Sequence, residues 1–439
     1  MRIAQAAGVA AEYAKARWRW RALRGEALAR YQEERAREIV RFAAERAPFY
    51  RAHWAGRDLA EWRTLPTVDK RLMMEHFDTF NTLGVTLAET MGAAVEGERS
   101  RDFRTTVRGA TVGMSSGTSG HRGLFVVSPR EQTVWAGTIL ARALHEAPLR
   151  RGGFRVALFL RANSNLYERT HGGLVRFQWF DLMTRLPESV AALNEYRPHL
   201  LIGPPSMLGF LADAREAGTL HVAPERLVSV AEVLEPQDGA RLERVFGAPV
   251  HQIYQCTEGL LGVSCRAGSL HVQEDLVALQ LEPLDADRVT PIVTDLRRTS
   301  QPIVRYRLND VLRMESAPCR CGSPWRVIRA IEGRADDVVY LESNGGGTRT
   351  FFPDTIRRMV LLGSPDIDDY QAFQERPGHL RVHLALRPGA DFAAAAATVR
   401  ESVRAVAAQY DARPPELHLE PGLAPVPPGA KRRRVQRLG

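Results

Sequence analysis

Three groups of residues in this chain have types and spacings that chemistry requires. The stretch Gly113 to Gly123, GMSSGTSGHRG, sets Ser115, Ser116, Gly117, Thr118, Ser119 and Gly120 in succession. Such a loop presents backbone N–H groups without side-chain obstruction and adds hydroxyl donors, as a polyphosphate requires. A flexible connector has the same composition, and the G-K-[ST] ending of a Walker loop is absent. Cys265, His271, Cys319 and Cys321 form the second group. Three thiols and an imidazole suit a four-coordinate structural zinc, with reduced, metal-free thiols as the alternative, since C-x-C is a weaker signal than paired C-x-x-C. The third is Lys431 in PVPPGAK, which stands out because the chain has only Lys15 and Lys70 besides it among 60 basic residues. A solvated basic tail is the plainer reading of KRRR.

The elements that must position these residues alternate along the chain. Residues 11–46, rich in Ala, Arg and Glu without Pro, predict one or two amphipathic helices with solvated Arg/Glu faces. From about residue 153, short apolar runs (Phe154 to Leu160, His199 to Ile202, Leu227 to Val230, Val250 to Tyr254) read as strands. The segments Pro187 to Tyr196, Pro205 to Glu216 and Pro236 to Phe246 read as the helices between them. That alternation predicts an α/β fold, a large N-terminal domain with mostly parallel sheets covered by helices. The last hundred residues change character: a glycine run at 345–347, a strand at His379 to Leu386, an Ala-rich helix from about Asp391 to Gln409, and a Pro-rich loop. They predict a small, mobile α+β C-terminal domain, with the boundary placed between 1–335 and 336–439.

Composition narrows the function classes. At 439 residues, 44% hydrophobic and 25% charged, the chain falls in the globular range, long enough for two or three domains. Its net charge of +9 invites a nucleic-acid reading, but the last nine residues hold five of those charges and the rest is near balance. Nucleic acid is therefore not an expected partner. No stretch approaches the length of an apolar membrane span, so no membrane partner is expected. Four cysteines do not make a disulfide framework, which argues for a reducing compartment and a cytoplasmic location.

Two further segments follow the Ser/Gly loop in order: Tyr254-Gln-Cys-Thr257-Glu258 after the VHQIY strand, then PIVRYRLND ending at Asp310. With SSGTSG they resemble the adenylate-forming superfamily of acyl-CoA synthetases, adenylation domains and luciferases. The similarity is greatest to the branch of phenylacetate-CoA ligases and coenzyme F390 synthetases. ERAREIVRFAAERAPFYR, ANSNLYE, GPPSMLGFLA, SVAEVLEP and IEGRADD support that branch, and the resemblance spans essentially the whole chain.

The resemblance implies a role for each matching residue. Ser115 to Gly120 would hold the β- and γ-phosphates of ATP, Thr257 would donate to the α-phosphate, and Glu258 would bind Mg²⁺. Tyr254, Ala231 and Glu232 would line the adenine site, and Asp310 would accept both ribose hydroxyls. Arg334 would reach the nucleotide, with Asp336 or Asp337 as hinge. Lys431 would be the catalytic lysine, stabilising charge at the α-phosphate and acyl oxygen. Related Cys/His positions on this branch favour zinc, and Cys256 is expected to pack near the nucleotide. One departure is His121-Arg122-Gly123, where many members end the loop with Pro-Lys. Tyr167, His171, Phe177, Trp179 and Phe180 are read either as part of an acyl pocket or as plain core.

The activity implied is ATP-dependent adenylation of a carboxylic acid, of aryl or similar type, followed by acyl transfer to coenzyme A or an acyl carrier protein. A rival is nucleotidyl transfer of AMP to a hydroxyl acceptor, and a more distant one is a non-catalytic binding protein.

Overall fold

The computed structural model describes residues 2–114, 123–144, 153–160, 175–182, 184–334, 337–361, 363–425 and 433–438. The chain divides into two compact units, one of Met1–Leu308 with Met314–Arg329, the other of Asn309–Arg313 with Ala330–Gly439. The expected 335/336 boundary falls six residues beyond that division, and Asp310, expected in the large domain, falls in the second unit.

The first unit is built on a sheet of twelve strands among the described residues. Its parallel half runs Val175–Asp181, Phe154–Leu160, Leu200–Gly203, Arg226–Val230 and Val250–Cys256. The inner strands Phe154–Leu160, Leu200–Gly203 and Arg226–Val230 are largely buried on both faces, so their sequences are nearly continuous apolar runs, whereas the edge strand Val175–Asp181 is mostly half-buried. The helices Leu186–Tyr196, Pro205–Glu216 and Pro236–Phe246 connect them, each with proline in its first turn, where no backbone donor is lost. Val190, Leu193, Leu208, Leu211, Leu242 and Phe246 from these helices share one buried core with Ala157, Phe159, Leu201 and Leu227 of the sheet.

Beyond Val250–Cys256 the sheet turns antiparallel, a change that apolar runs do not reveal. Gly259–Ser264 returns beside it, Leu270–Val272 pairs next, and Val277–Pro283 and Arg288–Asp295 form a hairpin further along. Asp310–Glu315 and Val327–Arg334 complete the order, each with one end in either unit. A separate three-stranded sheet contains Ala110–Met114 and Leu124–Val127, whose pair Met114↔Leu124 brackets the Ser/Gly loop. Gly113 is required there, because a Cβ would lie 2.1 Å from the Phe125 ring.

The N-terminal helices correct one expectation. Arg2–Ala22 and Gly25–Arg46 form, but the first is not simply solvated. Arg19 is buried, its Nε donating to Asp275 at 2.7 Å. Arg142, on the helix Pro129–Ala143, reaches the same carboxylate at 3.1 Å and donates to the Ala16 carbonyl at 2.7 Å. The two helices cross at Gly137, where a Cβ would meet Glu12 and Val9 at 2.6 and 2.7 Å. A fully buried carboxylate between two guanidiniums thus fastens the N-terminal helix to the sheet's 273–276 turn.

The second unit carries a four-stranded sheet, Glu416–Pro421, His379–Leu386, Ile367–Gln374 and Val435–Arg437 in that order. The helices Pro353–Leu361 and Phe392–Gln409 supply Ile356, Met359, Val360, Val399, Val403 and Val406 to its core. The basic C-terminal residues take part in this structure. Val435–Arg437 pairs in parallel with 372–374, Arg434 bonds Asp369 at 2.7 Å, and Arg433 forms a forked pair with buried Asp337. No helix among the described residues is long and apolar enough to cross a membrane.

Candidate active site and thiol cluster

In an open parallel sheet, the loops at the carboxyl ends of adjacent strands converge on one edge, where ligands bind. Two of the expected segments lie there. Ala231 and Glu232 follow Arg226–Val230, and Thr257 and Glu258 follow the neighbouring Val250–Cys256, with Val230 paired to Ile253. Ala231 has φ 70°, a left-handed conformation that a non-glycine residue adopts only at a cost. Glu232 accepts from the Ser206 amide at 3.2 Å and so caps the first turn of Pro205–Glu216. Tyr254 is buried opposite Gly262, and a bulge between Tyr254 and Gln255 re-aims the strand before the turn.

Glu258 is buried beside Tyr306 of the RYR segment, 48 positions later in sequence. Burial, and then the charge of Glu258, push the Tyr306 phenol above its ordinary value. The Cys256 thiol turns to the Gly259 carbonyl at 3.7 Å, inside the same hairpin.

Sequence reading missed the residues that hold this turn. Arg298, buried, donates from Nη1 to the Thr257 carbonyl and from Nη2 to Gln301 Oε1 at 2.7 Å. Asp295 accepts from the Arg297 and Arg298 amides at 2.8 and 3.0 Å, and lies against Gly259. Burial, helped by the nearby Glu131 charge, pushes its carboxyl up to about 6 despite those amides and the Arg298 charge. In a chain with 60 basic residues, nothing local marks Arg298 as interior.

In the second unit, Arg334 Nε stands 3.9 Å from Asp310 Oδ1. Ser115 to Gly120, Arg122, Tyr167, His171, Asp336 and Lys431 lie outside the described residues. Of the aromatic residues considered for an acyl pocket, Phe180 is core, stacked on Phe159 at 4.8 Å. Trp179 donates to the Leu160 carbonyl and meets Phe103 edge-on.

The second constellation is brought together in full. One ligand atom each from Cys265, His271, Cys319 and Cys321 lies within 4.8 Å of the others. Leu270–Val272 pairs with Val327–Arg334, and Cys319 and Cys321 occupy the turn before that strand. His271 Nδ1 lies 2.9 Å from the Trp325 carbonyl, which only accepts, so Nδ1 carries the proton and Nε2 is left to face Cys321 Sγ at 3.4 Å. Cys265 and Cys319 sulfurs are 3.7 Å apart. A tetrahedron with metal–sulfur bonds of about 2.3 Å has edges of about 3.8 Å, which the Cys265–Cys319 sulfur spacing matches.

The thiols are electrostatically unequal. Burial opposes ionisation of Cys319, but hydrogen bonds from Ser269, the Cys321 amide and His271 prevail and hold it down at about 6. Burial and the adjoining thiols push Cys321 up to about 12. Trp20 packs edge-on against both His271 and Trp325, at 5.3 and 4.6 Å, and the Arg142 guanidinium lies over both indoles. The first helix therefore roofs the cluster, a contact that residue spacing does not disclose.

Comparison with known proteins bears on the fold that carries these residues. No protein-family model matches the chain. A phenylacetate-coenzyme A ligase of Thermus thermophilus is 26% identical over 392 aligned residues, covering 81% of this chain and 80% of that protein. The structure of a 2-hydroxyisobutyryl-CoA ligase in its postadenylation state, with 2-HIB-AMP, matches with TM-score 0.69 at 19% identity, covering 94% of this chain and 89% of that one. An anthranilate CoA ligase with anthranoyl-AMP gives a TM-score of 0.51 at 12% identity, covering 73% and 66%.

Proposed function

We propose that this chain, similar to a phenylacetate-coenzyme A ligase and sharing the fold of a 2-hydroxyisobutyryl-CoA ligase, is an adenylate-forming enzyme that activates a carboxylic acid as its acyl-adenylate and passes the acyl group to a thiol. A carboxylate oxygen attacks the α-phosphorus of ATP, the bond to the β-phosphate oxygen breaks, and pyrophosphate leaves. The thiol sulfur then attacks the acyl carbon, its proton passes to solvent, and AMP leaves. The observation that carries this reading is the Thr257–Glu258 turn, set beside Ala231 and Glu232 at the carboxyl edge of the parallel strands with Glu258 against Tyr306.

In this reading Thr257 donates to the α-phosphate and Glu258 supplies a hard oxygen to Mg²⁺. Tyr254 and the backbone at Ala231 and Glu232 border adenine. Asp310 accepts the ribose hydroxyls with Arg334 beside it. Ser115 to Gly120 hold the outer phosphates, with Arg122 as the cation in place of the lysine of many members. Lys431 stabilises the developing charge. The thiol is that of coenzyme A, with a carrier-protein phosphopantetheine as the chemically equivalent acceptor. Cys265, His271, Cys319 and Cys321 hold a structural zinc, supported by the fixed tautomer of His271 and the sulfur spacing. Such a metal stabilises the fold and takes no part in the reaction.

The test is pyrophosphate exchange with the purified chain across aryl, aminoaryl and short aliphatic acids. Exchange with one class, and AMP release that requires added coenzyme A, is the expected result. AMP found esterified to a hydroxyl acceptor, with no thiol required, would move the reading to a nucleotidyl transferase, and absence of exchange with every acid would end it. Lys431→Ala is expected to abolish exchange; an unchanged rate would remove the lysine from the scheme.

A further inference from the structure

The segment 295–303, between Arg288–Asp295 and Tyr306–Arg307, is fixed by side chains at nearly every step. Asp295 takes the amides of Arg297 and Arg298, and Glu131 takes those of Thr299 and Ser300 at 2.6 and 2.8 Å. The Tyr50 hydroxyl donates to the Pro302 carbonyl at 2.9 Å and lies 3.3 Å from the Val304 amide. Gln301 acts as an extra strand rung: its Oε1 accepts from the Val126 amide at 3.2 Å and its Nε2 donates to the Leu124 carbonyl at 3.4 Å. Ser300 Oγ donates to the Val126 carbonyl at 3.0 Å. Val126 and Leu124 belong to the strand that leaves the Ser/Gly loop.

Arg298 joins this frame to the other side of the site. One arm of its guanidinium donates to the Thr257 carbonyl, and the other to Gln301 Oε1 and, at 3.5 Å, the Val126 carbonyl. We propose that Arg298, oriented by Gln301, is a positioning residue that locks the Thr257–Glu258 turn to the strand Leu124–Val127, so that the Glu258 carboxylate keeps one fixed spacing from that strand. The inference rests on the proposed role of Glu258. A planar fork with fixed donor directions sets that spacing, whereas the single ammonium of lysine cannot reach both acceptors in the same geometry.

The experiment compares Arg298→Lys, Arg298→Met and Glu258→Gln in pyrophosphate exchange, with Mg²⁺ titrated at saturating ATP and acid, and with melting temperatures recorded. A displacement of about 1 Å at a reacting centre costs up to about 10²-fold. Arg298→Lys is expected to lower exchange at least about tenfold and raise the Mg²⁺ half-saturation severalfold, with the KM for the acid unchanged. Arg298→Met should do the same more severely. An Arg298→Lys enzyme with wild-type exchange and Mg²⁺ dependence would overturn the proposal. So would a lower melting temperature with unchanged Mg²⁺ half-saturation in the folded fraction, the signature of a merely structural arginine. Glu258→Gln separates the two levels: if it abolishes exchange while Arg298→Lys is silent, only the positioning role fails. If Glu258→Gln is itself silent, the assignment of Glu258 fails and takes the positioning role with it.

Discussion

The strand Gly259–Ser264 has a different polar cluster at each end. At its start stands the Thr257–Glu258 turn, and directly after its last residue stands Cys265 of the thiol cluster. The two are about 20 Å apart at the rise of an extended strand. At the thiol end the groups answer one another: the protonated nitrogen of His271 is taken by the Trp325 carbonyl, the four ligand atoms lie within 4.8 Å of one another, and the Trp20 indole packs on His271. At the turn, the protein satisfies the backbone instead. Arg298 donates to the Thr257 carbonyl and is itself held by Asp295, which accepts the Arg297 and Arg298 amides, while Glu258 lies buried against Tyr306. On the proposed reading the thiol end is a structural site that closes its donor set and the turn a reactive one, with one short strand supporting both.

The sharpest way to break this comparison is to disable each end and ask which property fails. Glu258→Gln preserves shape but removes a charge; exchange should fall by about 10³-fold. Its melting temperature and zinc content should stay near wild type. His271→Ala should do the reverse. Metal analysis of the wild-type chain should find about one zinc, and the variant should lose it and melt several degrees lower, by roughly 2 kcal/mol. Its exchange rate per folded molecule should remain within about twofold. Loss of exchange in that variant at full folding would mean that the two ends are coupled.

The smallest expected effect concerns Asp295, beneath the turn. Its carboxyl is pushed up to about 6 by burial, so the folded chain holds a proton that the unfolded chain releases near pH 4. That contribution to stability is full below about pH 4 and is lost as the pH rises through about 6, by on the order of 2 kcal/mol. Asp295→Asn is neutral in both states and should lack this slope. Melting curves between pH 4 and 7 should show the wild type losing stability relative to the variant as pH rises; parallel curves would show that the carboxyl is ionised throughout.

Four of the five parallel strands were legible as short apolar runs separated by helices with prolines at their starts, whereas the half-exposed edge strand Val175–Asp181 carries no such run. The antiparallel half was less so, since the hairpin Val277–Pro283 with Arg288–Asp295 and the pairing of Leu270–Val272 depend on register. Arg19 was misread as solvated because an Arg/Ala helix has the same pattern whichever arginine turns inward; only the distant Asp275 decides. Phe180 was ambiguous for the same reason, and its stacking on Phe159 resolves it as core.

By itself the sequence determined the ingredients: an ordered set of loop, TE turn and RY-D segment, a four-member Cys/His set, and a C-terminal α+β region. These are properties of residue type and spacing along one chain. Tertiary structure alone decided which of them meet. It set Glu258 against Tyr306, placed Arg298 between Thr257 and the strand leaving the Ser/Gly loop, closed four ligands separated by up to 56 positions, and laid Trp20 over them. The physical reason is that burial and hydrogen-bond satisfaction are decided in the folded state, by neighbours that arrive from remote segments.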